Sequence, residues 1–219
     1  MNCKRWLSSA MAVILLFSAA VPVSAADEEA EEEDEPSYSV ILNEAELDPE
    51  PPACEELNEY VDELLDELTD EDMDTYEKVI SCYDYLIDTV SYGSHMRYLG
   101  TPLGDTTCRA IYNGYGEVEG FGAVALSAGV GMCNAYASAF ILMTRSLGLD
   151  SHLVEGSTRS GNGSYAYHKW AEIDIDGETY VFDPQLEQSL RRYNLPDYSV
   201  FCKTYDEIPG RYIRSARND

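Results

Sequence analysis

The stretch from Gly129 to Leu147, GVGMCNAYASAFILMTRSL, constrains this chain more than any other. Two glycines let the backbone turn sharply, and the segment after them carries no charge until Arg145. Small or apolar residues cover all its faces, which predicts a helix buried on every side at the centre of the fold. Leu147-Gly148 supplies the glycine expected just past a helix end. Cys133 falls in the first turn, where unpaired backbone N–H groups and the positive end of the helix dipole favour an anion. A thiol loses its proton more readily in such a place, and the thiolate is the reactive form. A buried structural cysteine fits the same helix, so the segment alone leaves two readings open.

Residues 1–25 read as a secretory signal peptide. Lys4 and Arg5 give the charged start, 7–20 the apolar run, and Val23-Ser24-Ala25 the small-residue cleavage site. Ser8, Ser9, Ser18 and Pro22 interrupt that run, which is short for a membrane span. Cys3 leaves with the signal. The expectation is a secreted or envelope-associated protein with no membrane contact after cleavage. The chain holds 14 Lys and Arg against 41 Asp and Glu, a net charge of −27. So negative a protein repels nucleic acid and anionic lipid, which argues against both as partners. The acids crowd into 27–35, a run with almost nothing to bury. It predicts a solvated, largely disordered tether over 26–53, with a short strand at 37–42 and a linker marked by Pro49, Pro51 and Pro52.

A single folded domain is expected over 54–219. Leu57, Tyr60, Val61, Leu64, Leu65 and Leu68 fall at helical spacing, with acids between them. Thr69 and Asp72 resemble a capping box that restarts the chain as a helix, lined by Met73, Tyr76, Val79, Ile80, Tyr83, Leu86, Ile87 and Val90. Residues 91–107 read as loop, and 110–128 as a short Gly- and Ala-rich helix leading to the glycines before Cys133.

Beyond the central helix the periodicity changes. Residues 151–155 and 165–175 read as strands, separated by a Gly/Ser/Thr/Asn loop at 156–163. Asp176-Gly177 is the dipeptide of a tight hairpin, 178–182 returns, and Pro184 closes the strand. With a two-residue turn, Ile175 pairs with Glu178 and, counting back, Trp170 with Asp183. Side chains two apart share a face, so His168 and Asp183 become diagonal neighbours, roughly 7–8 Å apart at the backbone. A carboxylate there can orient an imidazole through one ring nitrogen and leave the other free.

A cysteine at a buried helix start, then a histidine, then an aspartate on a neighbouring strand is the logic of a thiol nucleophile with an oriented base. The segments GVGMCNAYASAFILMTRSLGL, HKWAEIDIDG and ETYVFDP resemble the transglutaminase-like superfamily, in its order and spacing, over roughly 76–183. The resemblance implies an α+β, papain-like core whose central helix carries Cys133 and packs on an antiparallel sheet. It further implies Cys133 as nucleophile, His168 as general base and acid, and Asp183 as the residue that holds the imidazole. Two residues depart from the family pattern: Lys169 stands where a small residue often follows the histidine, and Gln185 where threonine often follows Asp-Pro. The Cys133 backbone N–H is the expected first donor to an oxyanion; the second is unassigned, with a tyrosine as one candidate.

Other polar residues carry plainer readings. His152, among apolar residues at the start of a strand, reads as structural, and His95, in a loop, as exposed. Lys169 and Arg159 read as solvated, with substrate contact as the sharper alternative. With three histidines and no Cys-x-x-Cys pair, a zinc site is not expected, nor is any cofactor. Residues 174–178 resemble a calcium loop only weakly, because the ligand spacing is wrong. Cys54, Cys82, Cys108 and Cys202 could form two disulfides in an exported protein, leaving Cys133 free, or all could stay reduced. The expected function is acyl transfer through a thioester on a peptide or glutamine amide, with protein or peptide (cell-wall peptide included) as substrate. The alternative is a non-catalytic surface adhesion or assembly module that keeps the fold.

Overall fold

The computed structural model describes residues 37–218. The expected signal peptide and the acidic run at 27–35 lie outside the described residues. The chain is helical from the outset: α1 spans Ser37–Asn43, where the sequence suggested a strand. The alternation of Tyr38, Val40 and Leu42 was misleading, because burial follows a helical face instead. Leu42 is fully buried and Val40 is exposed, while Tyr38 packs edge-on against Phe201. The presumed linker is also tied down, with Asp48 N–H donating to Gly148 O at 2.8 Å and Glu50 N–H to Arg145 O at 2.9 Å. The packed domain thus begins near Ser37, upstream of the boundary expected at Cys54.

Helix α2 (Glu55–Leu68) buries Leu57, Val61, Leu64 and Leu65, the stripe the sequence spaced. Helix α3 (Thr75–Thr89) starts at a capping box formed by Asp74 and Glu77, not at Thr69 and Asp72. Asp74 accepts from Glu77 N–H at 2.8 Å, and Glu77 accepts from Asp74 N–H at 3.0 Å. Such a cap is worth about 1 kcal/mol. The region expected to be loop holds three two-residue strands: β1 (Ser91–Tyr92), β2 (Pro102–Leu103) and β3 (Thr106–Thr107). The helix expected over 110–128 is two, α4 (Cys108–Tyr115) and α5 (Glu117–Ala128), broken at Gly116 with φ +99°.

After α5, strand β4 (Val130–Gly131) pairs in parallel with β1 and leads into α6 (Cys133–Ser146). Every residue of 135–144 in α6 is buried, as a helix without a polar face requires. One side of α6 meets α5 and α3, and another meets an antiparallel sheet. That sheet has the order β7-β6-β5-β8, built from β5 (Asp150–Arg159), β6 (Tyr165–Ile175), β7 (Glu178–Phe182) and, after helix α7 (Pro184–Arg191), β8 (Tyr212–Asn218). The fold is α+β, with the central helix packed on the sheet.

Both faces of the sheet are covered. Leu153, Ala171, Ile173 and Phe182 face the helical core. Val154, Trp170 and Val181 face a second apolar cluster completed by Leu190, Val200 and Tyr212. Burial on both faces extends to the polar residues of β6, so His168, Lys169 and Glu172 are buried beside Trp170. It also places His168 and Asp183, on the Trp170 side, inside protein on every flank.

Candidate active site

The turn before α6 is fixed by the glycines around it. Gly129 ends α5 in the left-handed conformation (φ +61°), and Gly93 N–H donates to Gly131 O at 2.9 Å. Cys133 is the first residue of α6, so its N–H lacks a helical acceptor. Its side chain is nearly buried, at 9% exposure. The β1–β4 bridge aligns Tyr92 with Gly131, two residues before the thiol.

The hairpin has the register that a two-residue turn requires. Asp176 (φ +52°) and Gly177 (φ +83°) form the turn, and pairing runs from Ile175–Glu178 to Ala171–Phe182. One step further, His168 and Asp183 meet as expected: His168 Nε2 lies 2.6 Å from Asp183 Oδ2. Asp183 is only 1% exposed, yet its carboxylate is well served by donors. Oδ2 also accepts from the Tyr212 hydroxyl at 2.8 Å, and Oδ1 accepts from Leu186 N–H at 2.9 Å, capping α7. Burial and the Asp183 charge push the Tyr212 phenol well above its usual range, so the hydroxyl keeps its proton and donates.

His168 is itself buried, at 5% exposure, and the Cys133 sulfur lies close enough to act on its imidazole. Because Nε2 faces Asp183, Nδ1 is the ring nitrogen left for the sulfur. Burial alone would lower the His168 pKa, but the Asp183 carboxylate and the Cys133 sulfur outweigh it and raise the value to about 10. An imidazole held in this state beside the sulfur keeps a proton ready for a leaving group.

The walls of this arrangement come from the sheet. Trp170 stacks near His168 (centroids 6.3 Å apart, planes 18°) and against Tyr212 at 4.7 Å. The Trp170 indole N–H donates to Tyr205 at 3.0 Å; Tyr205 donates to Glu172, which also binds Arg214 at 2.8 Å. Opposite His168 sits Gly156. A Cβ there would lie 2.1 Å from Ile213 O and 2.9 Å from Trp170 Cη2, so only glycine lets β8 bring Tyr212 this close. A loop was expected from residue 156; instead β5 continues to Arg159 and only a short turn separates it from β6.

Several residues stand elsewhere than the sequence suggested. His95 is buried, not exposed, with its ring 4.1 Å from Phe121. Lys169 is buried too, at 7% exposure, and its ammonium lies 2.7 Å from both Glu117 oxygens. His152 pairs with Asp150 at 2.8 Å. The donor atoms of Asp150, His152 and Asp174 lie within 4.8 Å of one another, but Asp174 is engaged by Arg217 and Thr179, each at 2.7 Å. The disulfides raised as one option do not form: Cys54, Cys82, Cys108, Cys133 and Cys202 are all free and buried. Burial pushes the Cys82 and Cys202 thiols up to about 12 and raises Cys54 and Cys108.

Sequence reasoning missed Tyr212, Tyr92 and Glu117. Tyr92 is half exposed, and its phenol is pushed up by burial and by the neighbouring Cys133 charge. The β1–β4 pairing thus brings a tyrosine into the neighbourhood of the thiol. No local pattern marks Tyr212 as a partner of Asp183, because 29 residues separate them.

A family model described as Transglutaminase-like superfamily matches residues 62–184, more than half of the chain, with Cys133, His168 and Asp183 inside the match. No curated protein matches the chain. Among solved structures, similarity extends to a "putative cysteine protease" from Cytophaga hutchinsonii (TM-score 0.45, 16% identity), covering 84% of this chain and 48% of that one. A protein described as a TGase gives TM-score 0.37 and 13% identity, covering 71% and 35%. A "putative protease" from Parabacteroides distasonis gives 0.35 and 17%, covering 58% and 25%. The chain spans about half the length of the first of these and less of the others.

Proposed function

The chain belongs to the transglutaminase-like superfamily, and we propose that it is a secreted, cysteine-dependent acyl-transfer enzyme acting on peptide or glutamine amides. The observation that carries this reading is His168 held 2.6 Å from Asp183 with the Cys133 sulfur near enough to raise its pKa. Cys133 Sγ attacks the amide carbonyl carbon, and the oxygen gathers negative charge. The Cys133 N–H and the Tyr92 hydroxyl are the donors that meet it. His168 passes its Nδ1 proton to the amide nitrogen, the C–N bond breaks, and the amine leaves a thioester behind. In the second half His168 takes a proton from the incoming acceptor, which attacks the thioester carbonyl; the thiolate departs. Water as acceptor gives a carboxylic acid, and a primary amine gives a new amide. Asp183 keeps the ring oriented in both halves. Hydrolysis of peptide, including cell-wall peptide, is the preferred outcome, since water is always present.

The test is to incubate the protein with glutamine-containing peptides, with and without a primary amine, and to read products by mass spectrometry. The proposal expects amide cleavage or amine incorporation that Cys133→Ala abolishes. Product formation by Cys133→Ala at the wild-type rate would refute it.

A further inference from the structure

Lys169 is a buried cation beside His168, and its surroundings give it a use. It follows His168 in β6, so its side chain leaves the opposite face of the sheet, the face shared by Ala171 and Ile173 that packs towards α6. There its ammonium binds Glu117 Oε1 and Oε2, each at 2.7 Å, and lies 3.7 Å from Glu155 of the neighbouring strand. Glu117 opens α5, and its Oε1 also accepts from Asn134 Nδ2 at 3.4 Å. Asn134 follows Cys133. One carboxylate therefore joins the residue after the histidine to the residue after the cysteine.

We infer that the Lys169–Glu117 pair is a positioning device that fixes the distance and angle between the His168 imidazole and the Cys133 thiol. This inference rests on the acyl-transfer reading of the same site. Cys133 and His168 stand on separate elements, a helix end and a strand, whose apolar contacts tolerate small sliding. A doubly hydrogen-bonded pair with a buried ammonium does not, because any shift leaves that buried charge short of its partner. Misplacement of reacting groups by about 1 Å can cost up to ~10²-fold in rate. Glu117 is about one-third exposed (32%) and Lys169 nearly buried (8%), so the pair is anchored from the protein side and closed by the carboxylate from the solvent side.

The experiment compares iodoacetamide alkylation of Cys133 across pH in wild type, Lys169→Met, Lys169→Arg and Glu117→Gln, with thermal denaturation of each. Lys169→Met keeps the stem and removes the charge, and about tenfold slower labelling near pH 6–7 is expected, with a profile moved towards that of an ordinary thiol. Lys169→Arg preserves the two-point contact and restores most of the rate. Glu117→Gln, at a partly exposed position, gives a smaller loss in the same direction and decides the matter if Lys169→Met does not fold. Wild-type rate and profile in folded Lys169→Met, or in Glu117→Gln should that variant have to decide, overturn the inference. So does a loss that Lys169→Arg fails to restore while its melting temperature stays at the wild-type value. A His168→Ala control that labels at the wild-type rate and profile would instead overturn the acyl-transfer reading itself, so the two failures are distinguishable.

Discussion

Tyr212→Phe removes a single oxygen from the site. That hydroxyl donates at 2.8 Å to Asp183 Oδ2, the oxygen that also binds His168 at 2.6 Å. Asp183 is 1% exposed, so no water takes the vacated place, and the phenyl ring keeps its packing against Trp170 at 4.7 Å. A hydrogen bond to a buried charged group contributes about 1.5–3 kcal/mol. For a domain of this size each kcal/mol moves Tm by about 2–4 °C, which predicts a fall of roughly 3–12 °C by circular dichroism. The chemistry should shift as well. With one donor fewer, the carboxylate concentrates its charge on the imidazolium, and the His168 pKa moves above its value of about 10. The high-pH inflection of Cys133 alkylation, which reports loss of that proton, should move upward with it. A Tm within about 1 °C of wild type, together with an unmoved inflection, would refute the role given to Tyr212.

Three further outcomes follow from the same geometry. Because the His168 pKa is raised from 6.5 to about 10 in the fold, its pairing adds stability that is complete below pH ~6.5 and lost as pH rises through about 10. The gap in urea midpoint between wild type and Asp183→Asn should therefore close over that window, and a gap independent of pH would contradict the pairing. Tyr92→Phe should slow turnover of an amide substrate by about 10²-fold yet leave alkylation of Cys133 unchanged, since alkylation passes through no oxyanion; parallel loss of both would remove Tyr92 from that role. Iodoacetamide on the native protein should label Cys133 and spare Cys82 and Cys202, whose burial holds their thiols up to about 12; peptide mapping that finds those two labelled at equal rate would count against the packing described.

What the sequence revealed and what it hid have physical explanations. The central helix was legible because no residue between Cys133 and Arg145 carries a charge and most are small or apolar, and the hairpin because Asp176-Gly177 fixes its register through to His168 and Asp183. Local signals failed where distant packing decides the outcome. Residues Tyr38, Val40 and Leu42 alternate like a strand, yet Phe201 and α3 recruit a helical face of that segment. Small residues at 156–163 resembled a loop, but Gly156 is small because β8 and Trp170 crowd it. Lys169 read as solvated because nothing nearby in sequence announces Glu117, 52 residues away. Tyr212 lay hidden for the same reason: Pro209-Gly210 marks a turn before its strand, but nothing local points to Asp183, 29 residues away.

The central claim is that Cys133 and His168 act as one unit in the free protein. The pH profile of iodoacetamide labelling at Cys133, read by mass spectrometry in wild type and His168→Ala, tests it most directly. Fast labelling well below pH 7 in wild type, lost in His168→Ala, is the predicted result. Labelling that follows an ordinary thiol near pH 8.5 in both proteins would contradict it.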